Sequence, residues 1–328
     1  MKQRVALAVT MVALVGSACK GSPEPAPQPQ PQVAPAAARD PWEGSVAAKD
    51  PLPRPLLWSA EKDGKTSYFL GTMHVGVDAE ARLPKLVWDQ LDGSPAFAVE
   101  TDVTDPALGN LGTRASGTLR DELGPDHWKK LELAITPQVA QVLDGKSAMI
   151  PATMLALRGL PMTPPMDGVL LGRAKNRQKK VVYLEPARLQ AAILEKHMNA
   201  KALKLMLDDL PKLEQQSKEM LEAYLAGDEA KIEAITEEQR KDALAHGYTA
   251  AEYDESMEDL LYRRNASWIA AIERLHAAGG GFVAVGAMHL IGKRSVLELM
   301  QQKGYQIARM APPAPADATS APAGASTR

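Results

Sequence analysis

Hydrophobic positions along the chain fall into two patterns. Short apolar runs stand at Leu56–Trp58, Tyr68–Leu70, Ala96–Val99, Val181–Leu184, Phe282–Val285 and Tyr305–Arg309. Runs this short, separated by stretches of helical periodicity, predict strands buried on both faces of an α/β sheet. Between them, Leu213, Met220, Leu221, Tyr224 and Leu225 share one helical face, and Met257, Leu260, Leu261, Trp268, Ile272 and Leu275 share another. The predicted fold class is α/β: a central mixed sheet flanked by helices, with a largely helical cap region over one sheet edge at about 186–277. The cap either opens as a lid or pairs with a second copy in a homodimer.

Composition trims this picture at both ends. Of 25 prolines, ten lie in residues 23–55 and four in 312–322. Proline fixes φ and removes donors, and these tracts hold little to bury, so 20–55 reads as a disordered tether and 311–328 as a disordered tail. Residues 56–310 remain as one domain with a substantial core. Residues 1–19 start with Lys2 and Arg4, continue in an apolar run from Val5 to Val15, and end in small residues before Cys19. That is the form of an export signal, too short to span a bilayer as a mature helix. Cys19, directly after Gly16, Ser17 and Ala18, resembles the lipidated residue of a bacterial lipoprotein, although an aliphatic residue is the usual choice at position 16. An ordinary signal-peptidase site beside a bystander Cys is the alternative. The lipoprotein reading implies an exported domain, lipid-anchored at the surface of a cell-envelope membrane.

Charge and cysteine usage exclude other classes. The net charge of −2 and the lack of a long basic tract argue against a nucleic-acid partner. A single Cys excludes an internal disulfide framework and a Cys-rich zinc site. Any metal must therefore be held by His and carboxylate.

Four predicted strands run directly into such residues: His74, Glu100, Glu185 and His289. Ligands of α/β sheets sit outside the carboxyl ends of strands. One polar residue there can be a cap or a turn. Two imidazoles and two carboxylates together are the side chains of a divalent-metal site or of acid–base chemistry. The two histidines also close near copies of one motif, Gly71-Thr-Met-His74 and Gly286-Ala-Met-His289, each followed by another glycine. Two buried, hydrogen-bonded histidines are the structural alternative. A third Gly-x-x-His, Gly124 to His127, lacks the preceding strand and reads as a loop and helix cap. His197, His246 and His276 lie in charged helical surroundings and read as surface residues. Residues 103–118 have the composition of a mobile loop beside Glu100. Arg264 falls on the apolar stripe of the last long helix, flanked by Asn265. A buried Arg needs a partner, either a structural carboxylate or a functional position near Glu100 or Glu185, where it would stabilise developing negative charge.

These residues resemble the TraB/PrgY/GumN family, which includes the Tiki-type metalloproteases. The resemblance rests on Trp58, the Tyr68 to Gly76 segment, Val99-Glu100-Thr-Asp102, Met166-Asp167, Leu184-Glu185 with Gln190, Arg264-Asn265 with Trp268, Gly286 to Gly292, and Lys303 to Tyr305. It implies a metal-dependent peptidase centre with His74 and His289 as ligands to Mn, Co or Zn. Glu100 becomes a third ligand or the general base. Arg264, Asn265 and Glu185 complete the candidate catalytic set. There is no His-Glu-x-x-His helix, so the common zincin arrangement is excluded. The function read here is a membrane-tethered metal-dependent hydrolase acting on a peptide or protein substrate. Two rivals stand beside it: a protein that sequesters a peptide or other ligand in the same cleft without turnover, and a metal-free esterase-type hydrolase using His74 with Glu100.

Overall fold

The computed structural model describes residues 50–102, 104–106, 108 and 111–312. The stretch read as an export signal, Cys19, most of the proline-rich tract and nearly all of the tail lie outside the described residues, as do four positions of the 103–118 segment.

Six strands form one sheet: β1 (Leu57–Lys62), β2 (Lys65–Thr72), β3 (Ala96–Val99), β4 (Lys180–Tyr183), β5 (Phe282–Gly286) and β6 (Gln306–Met310). Every apolar run singled out in the sequence contributes one of them. Their order is β4-β3-β5-β2-β1-β6. The first four in that order are mutually parallel, while β1 is antiparallel to both β2 and β6, so the sheet is mixed. β5, at the centre, is buried along its whole length, whereas edge strand β6 is partly exposed. Lys62 and Lys65 flank a tight turn in which Asp63 and Gly64 have φ of 51° and 68°. Two successive positive φ values define the type I′ hairpin that Asp-Gly favours.

Helices fill the rest of the chain: α1 (Ala79–Arg82), α2 (Lys85–Gly93), α3 (Leu119–Ile135), α4 (Pro137–Leu143), α5 (Met149–Ala156), α6 (Met166–Asn176), α7 (Ala187–His197), α8 (Ala200–Asp208), α9 (Leu210–Ala226), α10 (Glu229–Ala245), α11 (Ala250–Met257), α12 (Arg263–Ala277) and α13 (Val296–Gln302). Helix α6 packs on β3, β4 and β5, and α12 on β2 and α13. The stretch 187–277 is helical almost throughout. It does not stand alone, because α8 packs against α3 and α5, and α9 against α5. Among the described residues, no helix is long and apolar enough to cross a membrane.

Some expectations shift. Leu52 is buried and its N–H bonds the Arg82 carbonyl, so the packed chain begins inside the stretch read as tether. His197 and His276 are not surface residues; they are 8% and 3% exposed. His197 bonds Asp259, and His276 bridges Ser67 Oγ and the Lys62 carbonyl, pinning the end of α12 to the β1–β2 hairpin. His246 is half-buried against the Asp242 carbonyl. Thr118 caps the first segment of α3, and Gly124, at φ 76°, breaks the helix so that a second segment opens at Pro125, in keeping with its reading as a loop and helix cap.

Candidate functional site

Strand register assembles the site. Val99 of β3 lies opposite Tyr183 of β4 on one side and Ala284 of β5 on the other. Leu70 of β2 also lies opposite Ala284. Glu100, Glu185, His74 and His289 therefore leave the sheet at one edge, the carboxyl ends of four adjacent parallel strands. The ladder continues into the site, since Glu185 N–H donates to the Glu100 carbonyl at 2.9 Å.

The leading glycine of the first motif serves close packing. A Cβ on Gly71 would stand 3.1 Å from Ala287 Cα and 3.2 Å from Leu56 Cβ. The two motif turns touch there. The left-handed backbone is supplied by the trailing residues, Gly76 at φ 97° and Gly292 at φ 76°.

Arg264 stands at the centre, 3% exposed. Its Nη2 donates to Glu100 Oε2 at 2.7 Å and Glu185 Oε1 at 2.6 Å. Nε reaches both Glu185 oxygens at 3.1 Å. Nη1 donates to the Leu260 carbonyl at 2.8 Å. That carbonyl lies in a π-helical turn, Glu258–Tyr262, which interrupts the α-helical bonding pattern just before α12. Trp268 Nε1 adds a bond to Glu185 Oε2 at 3.2 Å. Glu100 is equally well held. Oε2 also accepts from Gln190 Nε2 at 2.8 Å, and Oε1 accepts from Gly286 N–H at 2.7 Å. Oε2 thus has two donors, while Oε1 keeps one acceptor site.

Both histidines are tethered through Nδ1. Asn265 Nδ2 donates to the Arg294 carbonyl at 2.9 Å, which turns Oδ1 toward His289 Nδ1 at 2.6 Å. That contact is a hydrogen bond only when Nδ1 carries the proton, so the lone pair of His289 is on Nε2. Arg264 Nη1 approaches that nitrogen at 3.2 Å, and Glu100 Oε1 lies 3.7 Å from it. His74 Nδ1 bonds Asp167 Oδ2, whose other oxygen accepts from Thr72 Oγ1 at 2.7 Å. His74 Nε2 is buried with no hydrogen-bond partner.

The two rings titrate in opposite directions. Burial pushes His289 down to about 3, and the positive charges of Arg264 and His74 add to this against the pull of Glu100. Burial also opposes charge on His74, but Asp167 and Glu100 outweigh it and raise its pKa. Glu100 is held below the ordinary carboxylate value: burial opposes this, and His289, Arg264, His74 and the Gly286 N–H overcome it. Glu185 is raised by burial and by Glu100, against Arg264 and Trp268.

Glu100, Glu185, Arg264, Asn265 and His289 are joined by direct contacts, and His74 stands close enough for charge to act between it and Glu100, Arg264 and His289, while Cys19 lies outside the described residues. Asp167, Gln190, Thr72 and the Leu260 carbonyl join them. Among the described residues, no group of three or more His, Cys, Asp or Glu side chains forms a ready metal cluster. The donor chemistry nevertheless fits a divalent cation. When both imidazoles are neutral, their Nδ1 protons are fixed by oxygen and their lone pairs lie on Nε2, which is how metal-bound histidines are held. Glu100 and Glu185 pair with the one guanidinium and Asp167 with His74, so three buried carboxylates accompany a single Arg. Arg264 Nη1 stands where His289 Nε2 would offer its lone pair.

Fold and site define an α/β protein with a paired-histidine, Glu–Arg centre at the ends of parallel strands. The chain belongs to the TraB/PrgY/gumN family, which it matches over residues 56–309. It is 27% identical over 246 residues to the uncharacterized protein YbaP of Shigella flexneri, spanning 72% of this chain and 88% of that protein. The uncharacterized protein YbaP of Escherichia coli K12 is likewise 27% identical over 245 residues, spanning 71% of this chain and 87% of its own. No solved structure matches the chain.

Proposed function

We propose that this protein is a metal-dependent hydrolase acting on peptide bonds. The observation that carries the reading is the tethering of both imidazoles at Nδ1 beside Glu100, within a buried cluster in which three carboxylates accompany one guanidinium. His74 Nε2, His289 Nε2 and Glu100 Oε1 would hold the cation, as Mn, Co or Zn. When bound, it supplies Lewis-acid polarisation of a scissile carbonyl and lowers the pKa of water. If Glu100 is not a ligand, its Oε1 has the one open acceptor site suited to taking a proton from water and returning it to the leaving amine. Arg264, fixed by Glu185, directs positive charge at the site and stabilises a developing oxyanion. Asn265 keeps the His289 lone pair on Nε2. The N-terminal signal and Cys19 extend the proposal to an exported protein held by lipid at the envelope membrane.

One observation favours sequestration without turnover: Glu100 already accepts from Gly286, Gln190 and Arg264. The test separates the two. Wild type and His74→Ala are loaded with Mn, Co or Zn, assayed for bound metal, and incubated with a peptide library. Wild type is expected to bind metal and cleave, and His74→Ala to lose both. Peptide binding without cleavage selects sequestration. Absence of metal and of cleavage in wild type rejects the hydrolase.

A further inference from the structure

The two candidate ligand histidines are held by different groups. His289 faces the neutral Asn265 amide, and His74 faces the Asp167 carboxylate. Asp167 is buried in the first turn of α6, and both its oxygens are used. Oδ2 bonds His74 Nδ1, and Oδ1 accepts from Thr72 Oγ1 at 2.7 Å. Thr72 ends β2 two residues before His74, so one carboxylate fastens both the strand end and the ring to α6.

The consequence for the ring follows from donor and acceptor capacity. An ionised carboxylate only accepts. It therefore requires the proton on His74 Nδ1, so the lone pair of the neutral ring is on Nε2. That nitrogen has no hydrogen-bond partner, in a residue only 8% exposed. A buried acceptor left empty is unfavourable, and a ligand would relieve it.

We propose that Asp167 is a positioning residue: it locks His74 as the Nδ1–H tautomer and presents Nε2 to a borderline divalent cation such as Zn or Co. This rests on the reading of His74 as a metal ligand. A carboxylate behind an imidazole also increases its basicity. His74 is then the stronger of the two imidazole donors, and the neutral Asn265 makes His289 the weaker one.

The experiment uses the full chain in wild-type, Asp167→Ala and Asp167→Asn forms. Long-range 15N–1H NMR of the metal-free proteins reads the tautomer of His74, followed upward in pH until the ring is neutral. Cobalt titration, followed by visible absorption, reads affinity. Wild type is expected to show the Nδ1–H pattern. Asp167→Ala is expected to give mixed or Nε2–H tautomers and Co2+ binding weaker by about 10–100-fold. Asp167→Asn keeps an acceptor and is expected to retain the tautomer with a smaller loss of affinity. A folded Asp167→Ala protein with the wild-type tautomer overturns the proposal. If Asp167→Ala does not fold, wild type alone decides: a neutral ring in the Nδ1–H form supports the proposal and one in the Nε2–H form overturns it. If wild type binds no Co2+ while the tautomer responds as expected, the metal-ligand reading fails and the role of Asp167 in fixing the ring stands.

Discussion

His74 and His289 end near-identical motifs, yet the fold treats them differently. Both follow a parallel strand, and their turns touch at Gly71 and Ala287. The His74 motif meets an anion, Asp167, and an α9 side chain, as Tyr224 Oη donates to the Gly71 carbonyl at 2.8 Å. The His289 motif meets a neutral amide, the Trp268 ring at a centroid distance of 4.5 Å, and the Arg264 guanidinium. One ring is raised in pKa and the other lowered to about 3. The motif aims an imidazole off a strand, and helices remote in sequence decide what that imidazole is. A repeated tetrapeptide therefore reports geometry more reliably than chemistry.

Arg264→Ala is expected to have the largest effect. Arg264 pairs with two buried carboxylates and contacts His289, with no hydrogen bond to His74. Its loss strands Glu100 and Glu185 and is expected to lower unfolding free energy by about 3–5 kcal/mol, measured by urea denaturation. If the protein remains folded, the His289 pKa should rise more than that of His74. An unchanged urea midpoint would mean the carboxylates are not charged together.

Asn265→Asp erases the difference between the two arms. It puts a carboxylate behind His289 and so should lift its pKa from about 3, read by NMR titration. The same substitution removes the donor to the Arg294 carbonyl and sets two acceptors face to face. A stability loss of about 1–3 kcal/mol is expected. A His289 pKa that stays low would assign its depression to burial and Arg264 alone.

The pH dependence of stability follows from the opposite shifts. His289 has its folded pKa below the ordinary 6.5, so the unfolded chain binds the extra proton as pH falls. Stability is lost from about pH 6.5 down to about 3, at no more than about 1.4 kcal/mol per unit from this group. Glu100 and Asp167, both lowered, add to the loss as pH falls through the carboxylate range. His74 is raised, so its contribution is full below about 6.5 and is lost as pH climbs through its folded value. Urea midpoints across pH should peak near 6.5. His289→Gln should flatten the acid limb above the carboxylate range, and His74→Gln the alkaline limb. Identical curves for both variants would abolish the distinction between the rings.

The sheet was legible because each strand holds a short apolar run. Runs such as Phe282–Val285 declare burial on both faces, and Glu100 and Glu185, directly after two of the runs, mark the end where the site forms. The Asp63-Gly64 turn was equally open to reading, since only a pair tolerant of positive φ fits there. Arg264 was visible as a charge on an apolar stripe, although its partners were undecided between two carboxylates, and it binds both. Asp167 was not assigned, because its role depends on α6 packing across β3, β4 and β5. Nothing in Met166-Asp167 by itself points to His74. His197 and His276 misled for a related reason: charged neighbours in sequence do not say which face of a helix a histidine occupies. The π-helical turn that leaves the Leu260 carbonyl to the Arg264 side chain has no pattern signal at all.

The smallest predicted effect belongs to the His74 arm alone. Tyr224 is buried in α9, and burial, the first cause, together with the nearby Asp167 charge raises its pKa far above the ordinary value. It is a neutral donor throughout the working range, and its hydroxyl ties α9 to the backbone that carries His74. On the second motif, α10 makes the weaker contact of Thr236 Oγ1 with Met288 Sδ at 3.9 Å. Tyr224→Phe removes one hydrogen bond and leaves the ring packing, so the loss should be about 1 kcal/mol. Hydrogen exchange then sharpens the comparison. Amides following Gly71 should lose protection in Tyr224→Phe, and those following Gly286 should not. Equal loss at both motifs would mean that the turns, in contact at Gly71 and Ala287, open as one unit.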